Sequence, residues 1–94
     1  MNTMEHVIDG TVIHSRDDFY DAVTAALSFP DWFGRNLDAL HDSLHDLSWL
    51  PAGEHVLVWS APDVFKKSDP DGYRKIVDVL LDAVEPGVFR VITR

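Results

Sequence analysis

The clearest hydrophobic pattern lies in the last third of the chain and has the period of an α-helix. Apolar side chains recur at i, i+3, i+4, i+7, i+8 and i+11, at Tyr73, Ile76, Val77, Leu80, Leu81 and Val84. This spacing places an apolar stripe along one side of a helix. Residues 69–72 open this helix and Pro86-Gly87 terminates it. We therefore predict that the longest helix of the chain lies here, with the stripe turned to the core.

Two earlier segments have helical spacing as well, and each follows a capping residue. Ser15 can cap a helix whose stripe stops before Pro30, with apolar residues Phe19, Ala22, Val23, Ala26 and Leu27. Asn36 can cap a second helix, whose leucines recur at Leu37, Leu40, Leu44 and Leu47. A shorter helix is compatible with residues 61–67. The segment between the first two helices, 30–34, is predicted to be a loop.

Three short segments have the composition of strands. Residues 7–13 favour an N-terminal strand, although a tight hairpin at Asp9-Gly10 is compatible with them. Residues 54–60, which contain the apolar run 56–59, predict a strand buried on both faces, which is typical of parallel sheets. Residues 88–93 predict the last strand. Strands that alternate with helices indicate an α/β fold with a small parallel sheet, and we expect residues 1–94 to form one domain.

Charge narrows the class of partner. Sixteen acidic and eight basic residues give a formal net charge of −8. This charge disfavours direct binding to nucleic acid or an anionic membrane and favours a basic partner. The distribution is uneven, because residues 36–65 contain no lysine or arginine but contain the acids Asp38, Asp42, Asp46, Glu54 and Asp63.

Cysteine is absent, which excludes disulfides and thiolate sites and is compatible with a reducing cytoplasm. The sequence has neither the apolar run of about 18 residues that a membrane span needs nor the features of a signal peptide at its start. We therefore expect a cytoplasmic protein.

The second helix carries the candidate chemistry. If its leucines face inward, Asp38, His41, Asp42 and His45 form one outward stripe, with Asp46 beside it. Three carboxylates at intervals of about 6 Å resemble a short run of phosphates to a basic cleft. An acidic helix face can also serve only solubility, and that alternative stays open for the stripe taken alone.

Catalytic alternatives have less support. His41 and His45 have the i, i+4 spacing of zinc proteases, but the intervening acid is Asp and no third ligand is evident in the sequence. We therefore expect no cofactor and no physiological metal, and a zinc-dependent hydrolase remains only an alternative. The chain has no Gly-x-Ser-x-Gly elbow and no phosphate-binding loop, so we expect that it is not an enzyme.

A resemblance sharpens these expectations. Residues 30–44 closely resemble the barstar family of ribonuclease inhibitors in the pattern Pro30, Asp31, Trp32, Phe33, Gly34, then Asn36, Leu37, Asp38, Ala39, Leu40, then Asp42 and Leu44. The order of the remaining elements agrees over nearly the whole chain. The resemblance implies three parallel strands with helices packed around them. It also implies a one-to-one complex in which the second helix and its preceding loop enter the active site of a basic guanyl-specific ribonuclease, protecting the producing cell.

The resemblance also implies roles for single residues. Asp42 would be the main anchor and Asp38 a second, with the remaining contacts from Trp32, Gly34, Asn36 and Leu37. Asp82 matches a rim glutamate of the family. The sequence departs from the pattern at His41, where the best-known member has Trp. His45, Asp46 and Leu47 also lie at expected interface positions of the family, but they differ from the family's residues there. Trp32, Gly34 and Asn36 also have structural interpretations, as core, turn and cap residues.

The departures leave the partner open. A barstar-like binding module for another basic protein, either a non-ribonuclease toxin or a regulator, is the alternative to the ribonuclease inhibitor. We expect a monomer before the complex forms.

Overall fold

The computed structural model describes residues 2–94 and contains the predicted alternation of strands and helices. The elements are β1 (Thr3–Asp9), a 3-10 turn (Gly10–Val12), α1 (Arg16–Leu27), α2 (Leu37–Asp46), β2 (Glu54–Ser60), α3 (Asp63–Ser68), α4 (Pro70–Asp82) and β3 (Phe89–Thr93). The predicted α/β class is confirmed. No helix among these residues has both the length and the apolar character needed to cross a bilayer.

The sheet has three parallel strands in the order β1-β2-β3. The central strand pairs Trp59 with Ile8 on one side and with Thr93 on the other. All five residues from His55 to Trp59 are buried, which confirms the prediction of a strand covered on both faces. The helices pack on the face that carries Ile8, Leu57 and Trp59, where the main hydrophobic core lies.

The first strand begins and ends earlier than the predicted segment 7–13. It ends at Asp9, whose carboxylate accepts a hydrogen bond from the Thr11 amide at 3.0 Å and caps the 3-10 turn. Gly10 touches the end of β2 so closely that a Cβ there would overlap the carbonyl oxygens of Ser60 and Ala61. The apolar residues after Gly10 therefore belong to a turn, in which Ile13 is buried and Val12 is exposed.

The predicted stripe of the last helix is only partly buried. Ile76 and Leu80 are fully in the core, whereas Leu81 is 61% exposed and Val84 is also exposed. The helix ends at Asp82, so Val84 lies beyond it. α4 packs on α2 and α3, and these contacts cover only a narrow side of the helix. The prediction that the whole stripe faces the core is wrong at Leu81 and Val84.

Two histidines pair between β1 and β2 under the first helix. His55 is buried, and its Nε2 lies 2.9 Å from the carbonyl oxygen of Pro51. A carbonyl only accepts, so Nε2 of His55 carries the proton, and its bare Nδ1 accepts a hydrogen bond from His6 Nε2 at 2.9 Å. Burial lowers the pKa of His6 and the electrostatic interaction with the neighbouring His55 imidazole lowers it further, with a smaller opposing contribution from the Ala26 backbone.

The lowered pKa of His6 predicts a loss of stability in mild acid. As the pH falls below about 6.5, the unfolded chain takes up a proton that folded His6 resists, so the free energy of unfolding decreases. The thermal midpoint should therefore be lower at pH 5.5 than at pH 7.5. His6→Gln should reduce this difference, because glutamine can donate to His55 without binding a proton.

Circular dichroism melts of both proteins at the two pH values measure the effect. The carboxyls whose pKa is lowered, Asp9, Glu54 and Asp71, remain ionised throughout this range and do not contribute. An equal pH dependence in the wild type and in His6→Gln would contradict the assignment.

Candidate partner-binding face

The loop between α1 and α2 is held by one aromatic side chain and exposes another. Phe33 is buried, with its ring centroid 4.8 Å from that of Phe29. Trp32 is 69% exposed and meets Trp49 edge-on at 6.4 Å. Trp49 is fixed in turn by a hydrogen bond of 2.9 Å from its Nε1 to the Leu27 carbonyl. Of the two interpretations of Trp32, the structure therefore favours the exposed one.

The turn into α2 differs from the expectation for Gly34. The left-handed residue is Arg35, with φ of 51°, whereas Gly34 has no positive φ. Arg35 is held by an ion pair of 2.8 Å between its Nη1 and the Asp21 carboxylate. Gly34 instead lies against the start of the helix, where an added Cβ would come within 3.3 Å of Asn36 Nδ2.

Asn36 joins this loop to the helix through both ends of its side-chain amide. Its Oδ1 accepts a hydrogen bond from the Ala39 amide at 2.8 Å, and its Nδ2 donates to the Gly34 carbonyl at 3.1 Å. The first bond caps α2, as predicted, and the second closes the turn before it. Asn36 therefore fixes the position of Gly34 relative to the helix.

The rotation of α2 leaves its carboxylates in solvent. Leu40 and Leu44 are fully buried, Leu47 at the C-cap is buried, and Leu37 is half-buried. Asp38, Asp42, His45 and Asp46 are exposed and His41 is half-buried. In the part of the chain that the structure describes, no lysine or arginine forms an ion pair with Asp38, Asp42 or Asp46. Among the described residues, the negative charge of these three carboxylates is therefore not compensated by a lysine or arginine.

Asp82 at the end of α4 joins the same surface. Its Oδ2 lies 2.9 Å from His41 Nε2 and 3.9 Å from His45 Nε2. The two imidazole rings are neighbours, with centroids 4.2 Å apart, and His41 Nδ1 faces the Asp42 carboxylate at 3.7 Å. No third ligand beside His41 and His45 was evident in the sequence, and the structure corrects this, because Asp82 lies next to both.

We use the name acidic face for the exposed surface formed by Trp32, Asp38, His41, Asp42, His45, Asp46 and Asp82. Three open cavities of about 500, 430 and 310 Å³ lie elsewhere and are lined by other parts of the chain, apart from the contribution of Asp38 to the largest. The acidic face is thus an open surface rather than a cleft that could enclose a small substrate.

Fold and surface together define a small α/β protein with a three-stranded parallel sheet and an acidic helical face. The chain matches the sequence profile of the family described as Barstar (barnase inhibitor) over residues 3–91. It therefore belongs to the barstar family, which is a family of inhibitors.

The dual role of Asn36 predicts different effects for two substitutions. Asn36→Ala removes the cap and should lower the free energy of unfolding by about 1 kcal/mol. Asn36→Asp keeps an oxygen for the Ala39 amide and should retain most of the stability, while losing the bond to Gly34. Urea denaturation of the two variants and the wild type checks this expectation. Equal losses for Ala and Asp would show that the cap contributes little.

Proposed function

We propose that this protein is a cytoplasmic inhibitor of a basic guanyl-specific ribonuclease and protects the cell that produces the enzyme. The observation that carries the proposal is the negative charge of the acidic face, whose α2 carboxylates pair with no lysine or arginine of the described residues and are presented by a helix packed on the core. Membership in an inhibitor family supports the same conclusion. A ribonuclease active site binds phosphates, so its basic groups are suited to the carboxylates of α2.

Residues of the acidic face and of the turn before α2 have different proposed tasks. Asp42, whose side chain is 85% exposed, is the main anchor and occupies the place of a substrate phosphate. Asp38 is the second anchor, one helical turn earlier. Trp32 supplies apolar contact area and needs little ordering when it binds, because Trp49 already supports it. Gly34, Asn36 and Leu37 provide the close contacts at the start of the helix, and His45, Asp46 and Asp82 lie at the rim.

Burial in a complex makes these carboxylates effective. Charges exposed to water contribute little, but pairs that lose water at an interface interact more strongly and become costly to break. The long-range field of the acidic face also accelerates encounter with a basic surface, an effect that salt weakens. The proposal therefore includes a one-to-one complex whose formation depends on ionic strength.

Binding rather than catalysis fits the site best. His41, His45 and Asp82 are between 43% and 67% exposed, and none of them lines the three cavities. A hydrolase needs a site that positions its substrate and excludes water. The open surface offers neither, so we propose that the chain is not itself an enzyme.

One observation favours a second candidate, a different basic protein as partner. Asp82 at the rim already contacts His41 at 2.9 Å, and His41 stands where the best-known family member has a tryptophan. The carboxylate and the imidazole satisfy each other, which leaves a smaller, more polar rim than an aromatic side chain would. A partner matched to this rim would differ from the ribonuclease of that member.

Titration of the purified protein into an RNA-cleavage assay tests the proposal. We expect cleavage by a cognate guanyl-specific ribonuclease to stop at one inhibitor per enzyme, and the inhibition constant to increase with salt. Asp42→Ala should raise that constant by at least about 100-fold, which corresponds to about 3 kcal/mol for a desolvated charge pair left without its partner. The substitution favours helix formation, so lost inhibition would not reflect unfolding.

Glu5→Ala is the matched control. Glu5 lies on β1 and points to the face of the sheet opposite Ile8, away from the helices, and its ion pair with Arg94 is long, at 4.0 Å. Asp21 is less suitable, because it holds Arg35 beside the loop. Both variants remove one negative charge. Equal inhibition constants for Asp42→Ala and Glu5→Ala would reject Asp42 as the anchor, and no inhibition of several such ribonucleases by the wild type would favour the second candidate.

A further inference from the structure

Three nitrogen and oxygen donors converge between α2 and α4. The ligand atoms of His41, His45 and Asp82 all lie within 4.8 Å of one another. The two histidines are one helical turn apart, so their rings project from the same side of α2, and Asp82 reaches them from the end of α4. His41 and Asp82 are 41 residues apart along the chain, so this contact joins two distant helices.

We propose that His41, His45 and Asp82 form a binding site for one divalent cation of the zinc class. Two imidazole nitrogens and one carboxylate oxygen are a donor set that zinc accepts, with water or another group as the fourth ligand. In a tetrahedral site with bonds of about 2.0–2.1 Å, neighbouring donors lie about 3.3 Å apart. The observed separations of 2.9 and 3.9 Å from Asp82 Oδ2 to the two Nε2 atoms bracket this value.

The surroundings also suit a cation. The side chains of His41 and His45 are 44% and 43% exposed, so the rings have room to move closer together when they bind an ion. His41 would bind through Nε2, which leaves its Nδ1 toward the Asp42 carboxylate at 3.7 Å. A carboxylate behind a histidine orients the ring of a metal-bound imidazole. A bound ion would also join α2 to α4 and stabilise the folded chain.

Direct binding of Zn²⁺ to the untagged protein tests the site without any ribonuclease. Equilibrium dialysis should find one ion per chain in the wild type, and each of His41→Gln, His45→Gln and Asp82→Asn should weaken binding by at least about tenfold. His14→Gln, which removes an exposed histidine outside the cluster, should bind like the wild type. Because Zn²⁺ would bind the folded state, it should raise the thermal midpoint of the wild type more than that of the three ligand variants.

Three results would overturn the site. The first is the absence of Zn²⁺ binding to the wild type. The second is unchanged binding by Asp82→Asn, which would reduce the site to an ordinary pair of helical histidines. The third is a loss of Zn²⁺ affinity in His14→Gln equal to that in the ligand variants, which would indicate diffuse binding.

The position of the site gives the ion an effect on partner binding, and this consequence rests on the proposed function. A bound Zn²⁺ adds two positive charges beside Asp42, in the surface proposed to attract a basic partner. Saturating Zn²⁺ should therefore raise the inhibition constant of the wild type several-fold, after correction for any effect on the ribonuclease alone. In His45→Gln, the ratio of the constants with and without Zn²⁺ should be close to one.

The metal site and the effect of the ion on partner binding are tested by separate measurements. Dialysis decides the site even if no ribonuclease is inhibited. A wild type that binds Zn²⁺ and inhibits equally with and without it would overturn only the effect of the ion on the partner.

Discussion

Burial of Leu40, Leu44 and Leu47 holds α2 in one rotation, and the acidic face exists because of that rotation. Carboxylates four residues apart repel each other by a few tenths of a kcal/mol. Truncating a buried leucine to alanine costs about 2–5 kcal/mol. Packing therefore outweighs the repulsion by about an order of magnitude, and the helix keeps its acids in a row. Asn36 and Phe33 extend this rigidity to the loop, so that Trp32 is exposed from a fixed base.

Basic and acidic side chains are unevenly paired over the surface of the molecule. Several basic side chains are already paired with acids outside α2: Arg35 contacts Asp17 and Asp21, and Asp71 receives Arg16, Arg74 and Lys75. These pairs offset part of the negative charge of the first and last helices. The three acids of α2 have no lysine or arginine partner among the described residues, so their share of the net charge of −8 stays available to a basic partner. The acids of α2 are thus left with their charge available to a partner, at a small cost in helix stability.

Local pattern predicted most of the fold. The predicted strand 54–60 matches the bounds of β2, and Ser15 and Asn36 marked the starts of two helices because each cap is a short-range interaction. Apart from the local turn at Gly34 and Arg35, the failures are long-range. Gly10 ends β1 because Ser60 lies against it, and Leu81 is exposed because the elements that pack on α4 cover only one side.

The candidate site likewise has parts that local sequence predicted and parts that depend on tertiary contacts. Helical geometry alone placed Asp38, Asp42 and Asp46 on one exposed side, and the resemblance to the barstar family added the loop residues. Neither could show that Asp82 approaches both His41 and His45, because that contact depends on how α4 crosses α2. Spacing within one helix suggested a pair of histidines, and only the tertiary structure supplied the third donor.

The central claim is that the acidic face binds a basic protein. Its most direct measurement is the change in backbone amide NMR shifts of this protein when a catalytically inactive guanyl-specific ribonuclease is added to equivalence. We expect the largest changes at Trp32, from Asp38 to Asp46 and at Asp82, with little change at Glu5 or Ile92 on the outer face of the sheet. Changes centred on that outer face, with α2 unaffected, would contradict it.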